Sequence, residues 1–245
     1  MPTDHNSLLY WYLEVREYFE TPNTFTLSPP DLLEWMDGMP ENWVKKIKAE
    51  LKGKYPVFFR TDLASNKHEY NRSCIIHNER EIKSKIYNTL DFNFSVDLFP
   101  QHLVFRELLT PFSNFKAFDG LPIARELRVF VEKGKVTCVH RYWAHEVFVR
   151  DHWASFTIPD DWEKRWTKLY DIPKGEIIQI IGQIENDFSP ALKEENWSVD
   201  FMYAYRGHSK SYRWFLIDMA QAEMSFHPEH SSDLIELNSM REVSE

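Results

Sequence analysis

Charged and apolar residues alternate on both sides of a short polar turn between Ala124 and Trp143. The turn, Glu132–Lys135, contains a glycine, the residue that adopts positive φ most easily. Alternation with a period of two around such a turn predicts a β-hairpin. Glu126 and Arg128 then share one face, because successive side chains of a strand point to opposite faces. The hairpin is therefore expected to carry charged side chains on one face.

Arginine in this hairpin indicates an anionic ligand. A guanidinium fixed on a strand presents planar, paired donors at little entropic cost and stays protonated, which suits a phosphate or a carboxylate. The alternative is a ladder of surface salt bridges, which needs no ligand. Both interpretations remain open from the hairpin alone.

Composition is typical of a packed globular protein. The 245 residues allow one large domain or two small ones, and 16% of them are aromatic. Only 7 glycines are present, which disfavours folds built on repeated glycine turns. The formal net charge of -9 argues against a protein that coats long nucleic acid, but it permits a local basic site.

The two cysteines, Cys74 and Cys138, lie in apolar, strand-like runs and lack the spacing of a disulfide framework or a zinc motif. We interpret them as buried thiols in a reducing compartment. No run approaches the roughly 18 apolar residues that a membrane span requires, and the segment 1–5 lacks the basic start of a signal peptide. A cytoplasmic protein without a membrane segment is expected.

The order of predicted elements favours an α+β fold over a doubly wound parallel sheet. Apolar spacing predicts leading helices over 7–19 and 42–51, a helix start at 28–31, and later helices over 79–90 and 174–188. A Trp-rich region over 153–166 is expected to form loop and helix. Besides the hairpin, strands are predicted over 56–60, 73–76, 102–109, 197–205 and 214–219.

Two aspartates, Asp200 and Asp218, fall on the last two predicted strands. Carboxylates on adjacent antiparallel strands can point the same way about 5 Å apart, which is unfavourable unless a cation lies between them. A magnesium ion held there would bridge nucleotide phosphates, a division of labour suited to phosphoryl transfer. The cations available to neutralise the remaining phosphate charge are Arg60, Lys67, Arg128 and Arg141.

These segments, taken in order, resemble the ATP-grasp family. The resemblance is carried by Phe-Phe-Arg-Thr-Asp with Lys67, Leu-Val-Phe-Arg-Glu-Leu-Leu, Ala-Arg-Glu-Leu-Arg-Val-Phe-Val with Cys-Val-His-Arg-Tyr-Trp, Ser-Val-Asp-Phe and Trp-Phe-Leu-Ile-Asp-Met. The chain is most similar to a small phage and bacterial clade with an arginine on the first nucleotide strand. It is more distantly similar to a eukaryotic ATP-grasp-like assembly factor for a translation initiation factor. The resemblance covers about 56–226.

The resemblance implies two α+β halves with antiparallel sheets that enclose a nucleotide cleft, preceded by helices. The expected segments are 1–55 (leading helices), 56–110 (nucleotide-clamping lobe), 111–228 (lobe with the phosphate and metal residues) and 229–245 (polar tail). It also implies ATP and Mg²⁺ as cofactors. Adenine would lie against the hinge from Glu107 to Leu109, after Arg106 at the end of its strand.

The resemblance further implies individual roles. Arg60 takes the place of the usual first-strand lysine, and Lys67 belongs to the flexible phosphate loop. Arg128 matches the strand arginine near the transferred phosphate, with Arg141 assisting it. The two metal positions of the family match Asp200 and Asp218.

The chain departs from the family pattern in two places. Ala220 stands two residues after the second acid, where the family usually has an asparagine as a metal ligand. The phosphate loop is not glycine-rich, which disfavours a close backbone approach to phosphate.

The implied activity is an ATP-dependent ligase that activates a carboxylate as an acyl phosphate for attack by an amine or a similar nucleophile. A small molecule or peptide would bind at the residues His140, Tyr142, Trp143 and His145, unless the aromatic rings only pack. The first alternative is RNA end ligation or repair, with a basic and aromatic surface made of Tyr70, Arg72, Arg80, Lys83, Lys85 and Tyr87. The second is a nucleotide-gated binding or assembly module without turnover.

Overall fold

The structure is a computed structural model that describes residues 4–150 and 158–227. The α-helices are α1 Leu8–Val15, α2 Glu41–Leu51, α3 Ile82–Ser95, α4 His145–Arg150, α5 Trp162–Leu169, α6 Lys174–Asp187 and α7 Pro190–Lys193. The strands are β1 Thr24–Leu27, β2 Val57–Thr61, β3 Ile75–Ile76, β4 Leu103–Glu107, β5 Thr110–Pro111, β6 Ser113–Ala117, β7 Leu121–Ala124, β8 Glu126–Glu132, β9 Lys135–Arg141, β10 Asn196–Tyr205 and β11 Arg213–Gln221. Short 3₁₀ turns cover Glu34–Met36, Lys67–Glu69, Glu79–Glu81 and Ala222–Met224, and one π turn covers Tyr70–Cys74.

The chain forms two compact units. Unit A comprises Pro22–Leu108 and Phe118–Leu121, and unit B comprises Met1–Thr21, Leu109–Ala117 and Pro122–Glu245. These ranges differ from the boundaries at 55 and 110 expected from the sequence. The leading helices do not form one segment, because α1 falls in unit B and α2 in unit A.

Unit A contains a four-stranded antiparallel sheet in the order β1-β4-β2-β3. Its core is apolar and joins residues of the sheet to residues of α2, α3 and the segment before α2. The cluster comprises Leu27, Leu32, Trp35, Ile47, Leu51, Val57, Phe59, Ile76, Ile82, Ile86, Leu90, Leu103 and Phe105. The helices are amphipathic, and burial of their apolar sides holds them against the sheet.

Unit B contains an antiparallel sheet in the order β11-β10-β8-β9, and β5 also pairs with β10. The predicted hairpin is β8–β9, and Lys133 and Gly134 in its turn have φ of 47° and 76°. Positive φ at both central residues gives a two-residue turn the twist that matches its strands, and glycine adopts it without steric cost. The second pair, β10–β11, forms the other half of the sheet.

The mixed α+β architecture with antiparallel sheets agrees with the sequence expectation. The strand β1 was not predicted, because prolines on both sides concealed the short alternation of Thr24–Leu27. Of the strand expected over 73–76, the first two residues end a π turn and the last two, Ile75–Ile76, form β3. Trp153 and the expected tail 229–245 lie outside the described residues.

Both cysteines are free and buried. Within the described residues, no helix is long and apolar enough to cross a membrane.

Candidate functional site

One face of the unit B sheet carries four polar side chains in a single row, Asp218, Asp200, Arg128 and His140, which we call the polar row. Asp200 lies directly opposite Asp218 on β11 and opposite Arg128 on β8. Arg128 in turn lies opposite His140 on β9. Directly opposed residues of adjacent strands point to the same face. The structure therefore brings together the two predicted metal ligands and the predicted phosphate arginine.

Arg128 and Asp200 form a bidentate ion pair. The Nε and Nη2 atoms of Arg128 donate to Oδ1 and Oδ2 of Asp200, each at 2.8 Å. The side chains are only 16% and 6% exposed, respectively. Burial disfavours the charged guanidinium, but the charge and hydrogen bonds of Asp200 outweigh it, so the pKa of Arg128 lies above its usual value. The pair is charge-assisted, planar and shielded from water, the strong form of this interaction.

Asp218 remains more accessible than Asp200. Its Oδ1 accepts a hydrogen bond from the backbone N–H of Met219 at 3.1 Å, and the residue is half-buried. The β10–β11 register shifts between Asp200 and Phe201, so a bulge lies immediately beside the two aspartates. Bulges occur often beside active sites, where they redirect side chains.

The structure does not bring Arg141 to the polar row. An uninterrupted hairpin would place Arg141 opposite Glu126, on the face of Arg128. The β8–β9 register instead shifts between Phe130 and Val131, and Arg141 pairs with Leu127 on the other face. There the Arg141 guanidinium lies 4.5 Å from the ring centroid of Trp166. The prediction that Arg141 assists Arg128 is therefore incompatible with this placement.

The chain after β11 returns over the polar row. Ser225 hydrogen-bonds to Ser198 of β10, and the carbonyl oxygen of Phe226 accepts from Nη1 of Arg128 at 3.2 Å. The ring of Tyr142 lies on another side of this guanidinium, 4.6 Å from its central carbon. Sequence reasoning missed Ser225 and Phe226, since their position depends on a chain reversal that no periodic pattern signals.

Arg60 and Arg106 share one face of the unit A sheet. Arg106 lies opposite Phe58, and Arg60 follows Phe58 by two residues on the same strand. Phe59 and Phe105 alternate with these residues and point to the apolar core on the other face. The two predicted nucleotide-binding arginines thus occupy the face that the core does not use. They are buried, with 4% and 3% exposure.

Neutral oxygens accept the Nε protons of both arginines. Arg60 donates to the carbonyl oxygen of Thr61 at 3.0 Å, and Arg106 donates to Oγ1 of Thr24 at 3.2 Å. Thr24 was not a predicted site residue. A β-branched polar residue on an edge strand gives no signal by which the sequence alone distinguishes it from an ordinary strand residue.

Lys67 begins a 3₁₀ turn within the predicted phosphate loop. The loop is anchored at its start, because Oγ1 of Thr61 donates to Oδ1 of Asn93 at 2.8 Å and Oδ1 of Asp62 accepts from two backbone amides. Burial raises the pKa of Cys74 to about 12, although the nearby charges of Lys67 and Arg60 act to lower it. Lys67 and Arg60 both belong to unit A.

The two ends of the predicted adenine hinge have different surroundings. Glu107 ends β4, and its Oε2 accepts from the side-chain amide of Asn23 at 2.9 Å. Leu109 is buried in unit B, packed with Ala204 and Phe215. The Leu109 side chain therefore packs in the apolar core of unit B.

The aromatic residues after the hairpin mostly pack. Trp143 is buried, and its carbonyl oxygen accepts from Nε1 of Trp166 at 2.7 Å. His145 lies beside the rings of Trp162 and Trp166. Of the predicted acceptor residues, His140 and Tyr142 lie on the face of the polar row.

The basic surface suggested for RNA carries its own acceptors. Lys83 pairs with Glu41, Lys85 with Glu81, and Arg72 with Glu69. These contacts offset the charge that a phosphate strand would need. They give no support to the RNA alternative.

No protein-family model and no curated protein sequence matches the chain. Among solved structures, Cdc123 from Schizosaccharomyces pombe matches with a TM-score of 0.53 and 15% identity, over 89% of this chain and 83% of that chain. D-alanine–D-alanine ligase from Bacillus anthracis, complexed with ATP, matches with a TM-score of 0.45 and 12% identity, over 97% of this chain and 58% of that chain. N5-carboxyaminoimidazole synthase from Aspergillus clavatus, complexed with ADP and 5-aminoimidazole ribonucleotide, matches with a TM-score of 0.45 and 12% identity. The match covers 88% of this chain and 43% of that chain.

The fold is ATP-grasp-like, as the sequence resemblance implies. The chain spans only about half the length of the two enzymes it matches. Likeness at these identities concerns the fold, so the activity has to be argued from the residues of this chain.

Proposed function

We propose that the protein is an ATP- and magnesium-dependent ligase that activates a carboxylate as an acyl phosphate for attack by an amine or a similar nucleophile. The observation that carries this proposal is the polar row, in which two aspartates and one arginine lie side by side on one face of the sheet. Phosphoryl transfer requires a metal ion and a fixed cation near the transferred group. The two aspartates of the row offer ligands for the metal ion, and Arg128 supplies the fixed cation.

The donors of the row fit a magnesium ion. Mg²⁺ prefers carboxylate oxygens, and Asp218 offers an accessible carboxylate next to the carboxylate of Asp200. The ion-paired oxygens of Asp200 each accept one hydrogen bond from Arg128, and a carboxylate oxygen has a second lone pair for a metal. When bound, the metal ion neutralises charge on the phosphates and positions them.

Arg128 is suited to stabilise charge on the transferring phosphoryl group. Its guanidinium is held on a strand between Asp200 and the ring of Tyr142, which fixes the direction of its donors. In unit A, Arg60, Arg106 and Lys67 would bind phosphate oxygens of ATP, since the two arginines occupy the non-core face of the sheet. The substrate would be a small molecule or a peptide with a free carboxylate, handled in the cytoplasm.

A second candidate function is a nucleotide-gated binding module without turnover. The observation that favours it is the full engagement of Arg128, which donates to both oxygens of Asp200 and to the carbonyl oxygen of Phe226. An arginine held in this way has to exchange partners before it contacts a phosphate. Ala220, which cannot ligate a metal, agrees with this alternative.

The test is product formation by the purified protein with Mg-ATP, with and without pools of carboxylates and amines. The ligase predicts ADP and phosphate only when both pools are present, whereas the module predicts ATP binding without products. Arg128→Lys keeps the charge but loses the bidentate geometry, and we expect it to reduce turnover by about 10³-fold while ATP affinity changes little. Lys135→Ala on the same hairpin is the control. AMP as the product would contradict acyl phosphate chemistry.

A further inference from the structure

Three potential metal ligands meet beside the end of the polar row. Cys138 and His140 are two residues apart on β9, so both point to the face that carries Arg128. His227 reaches them from the chain that follows β11. Its Nε2 lies 3.3 Å from Sγ of Cys138 and 3.2 Å from Nε2 of His140. All three ligand atoms lie within 4.8 Å of one another.

We propose that Cys138, His140 and His227 bind a zinc ion at a site separate from the two aspartates. In a tetrahedral zinc site with ordinary bond lengths, two imidazole nitrogens are about 3.4 Å apart and a sulfur and a nitrogen about 3.6 Å apart. The observed separations of 3.2 Å and 3.3 Å differ from these by only a few tenths of an ångström. Two of the three ligand pairs are thus already spaced for one metal ion, and the ligand atoms of the third pair, Cys138 and His140, lie within 4.8 Å of each other.

Hydrogen bonding alone accounts poorly for this arrangement. Nε2 of His227 faces both the Cys138 sulfur and the His140 nitrogen at hydrogen-bond distance. An imidazole nitrogen carries either one proton or one lone pair, so it forms one well-directed hydrogen bond at a time. A metal ion between the three atoms uses a lone pair of each and satisfies all of them together.

The surroundings hold the ligands in place. The ring of Phe130 stacks on His227 with a centroid distance of 3.9 Å and meets the ring of His140 edge-on at 5.8 Å. Cys138 and His140 are buried, whereas His227 is exposed. Three protein ligands with one side open to solvent resemble the zinc sites that keep a fourth position for water or a substrate.

The ligand types separate this site from the proposed magnesium site. Thiolate and imidazole select zinc and other soft or borderline metals, while the carboxylates of Asp200 and Asp218 select hard cations. The charge of the neighbouring Arg128 does not oppose a metal here, because Asp200 balances it in the bidentate pair. The two sites are therefore distinguishable by metal.

Zinc at this site would also affect the polar row. The metal would fix His227, and the carbonyl oxygen of the preceding Phe226 accepts a hydrogen bond from Nη1 of Arg128. Metal binding is thus expected to stabilise the contact of this segment with Arg128. This consequence depends on the proposed zinc site but not on the proposed ligase activity.

The experiment titrates the full chain, stripped of metal by a chelator, with Co²⁺ as a spectroscopic substitute for zinc. We expect one equivalent to give the intense visible bands of tetrahedral cobalt and a thiolate-to-metal charge-transfer band, and zinc to displace it. Addition of Mg²⁺ in place of zinc should leave the visible absorption bands of the bound cobalt unchanged. Cys138→Ser and His227→Asn should each weaken metal binding by more than about tenfold. Replacing a residue that only hydrogen-bonds to a metal ligand already costs at least about tenfold in metal affinity, and these two residues are ligands themselves.

His227→Asn keeps the test valid if the buried Cys138→Ser variant fails to fold, because His227 is exposed. His208→Asn, another exposed histidine, is the matched control and should bind as the wild type does. The proposal is overturned if the wild type binds neither metal, if bound cobalt shows no thiolate band, or if His227→Asn binds with unchanged affinity. An equal loss in His208→Asn would indicate adventitious surface binding and would also overturn it.

Discussion

The sheets of the two units hold buried arginines in different ways. In unit B, Arg128 forms two hydrogen bonds of 2.8 Å with one carboxylate. In unit A, the Nε atoms of Arg60 and Arg106 donate to a carbonyl and to a hydroxyl oxygen, at 3.0 Å and 3.2 Å. The ion pair gains the attraction between two full charges, whereas a bond from a guanidinium to a neutral oxygen gains only that between a charge and a dipole.

The difference indicates separate tasks for the two sheets. A guanidinium paired with a carboxylate is released when another cation competes for the carboxylate or another anion competes for the guanidinium, so Arg128 and Asp200 can respond to a metal ion and to a phosphate. The Nε contacts of Arg60 and Arg106 with neutral oxygens lack this attraction between two full charges. We therefore expect the ion pair of the polar row to respond more strongly to a bound metal ion than these two contacts of unit A.

The largest expected effect on stability follows removal of the ion pair in unit B. Arg128→Ala leaves the buried Asp200 carboxylate without this partner, and we expect it to lower the free energy of unfolding by about 3–5 kcal/mol. Urea denaturation measures the change. The double variant Arg128→Ala/Asp200→Ala should recover part of the loss, since no buried charge remains.

The matched control for this prediction is an exposed ion pair on the same hairpin. Lys135 and Glu185 lie 3.1 Å apart, with the lysine side chain 73% exposed. Solvent screens such pairs, so Lys135→Ala should cost less than about 1 kcal/mol. Equal losses for Arg128→Ala and Lys135→Ala would contradict the distinction between a buried pair and an ordinary surface pair.

A smaller effect is expected for the arginine contact in unit A. Thr24→Val removes the hydroxyl that accepts from Arg106 while keeping the shape of the side chain, and we expect a loss of about 1–3 kcal/mol. Thr26→Val, two residues further on the same strand, is the control and should change stability little. If Thr24→Val costs more than Arg128→Ala, the contrast between the two sheets is wrong.

The smallest expected effect is an alkaline loss of stability from Cys74 in unit A. Its pKa is raised to about 12 by burial, above the value of about 8.5 for a free thiol. A raised pKa stabilises the fold fully below the unfolded value, and this contribution is lost as pH rises from about 8.5 through 12. Between about pH 8.5 and 9.5 the loss should be about 1 kcal/mol.

Urea denaturation of the wild type and Cys74→Ala at both pH values isolates this contribution. The substitution leaves a cavity that lowers stability equally at both pH values, so the pH dependence alone reports the thiol. We expect a flatter profile for Cys74→Ala. If the free energy of unfolding depends on pH equally in the wild type and in Cys74→Ala, the pKa of Cys74 is not raised by its burial in unit A.

The β8–β9 hairpin and the adjacency of Asp200 and Asp218 were predictable from the sequence. Each follows from local alternation and from the rule that neighbouring antiparallel strands set opposed residues on one face. Arg141 was not placed correctly, because the extra residue in the β8–β9 register moves it to the other face. A bulge has no reliable mark in a single sequence, yet it reverses the face of every residue beyond it.

The cluster that includes His227 was also beyond sequence reasoning. Cys138 and His140 are two residues apart in a strand, a spacing that puts both on one face, but two ligands alone do not indicate a metal. The third ligand arrives through a chain reversal after β11, more than eighty residues later. Long-range contacts of this kind arise from tertiary packing and leave no periodic signal.

Calorimetric titration with ATP, in the presence and absence of magnesium, tests most directly whether the polar row is a metal–nucleotide site. We predict magnesium-dependent binding that Asp218→Asn weakens by more than about tenfold, because the variant loses a charged oxygen ligand. Glu194→Gln, at an exposed acid of the same unit, should bind as the wild type does. ATP binding that depends neither on magnesium nor on Asp218 would contradict this account.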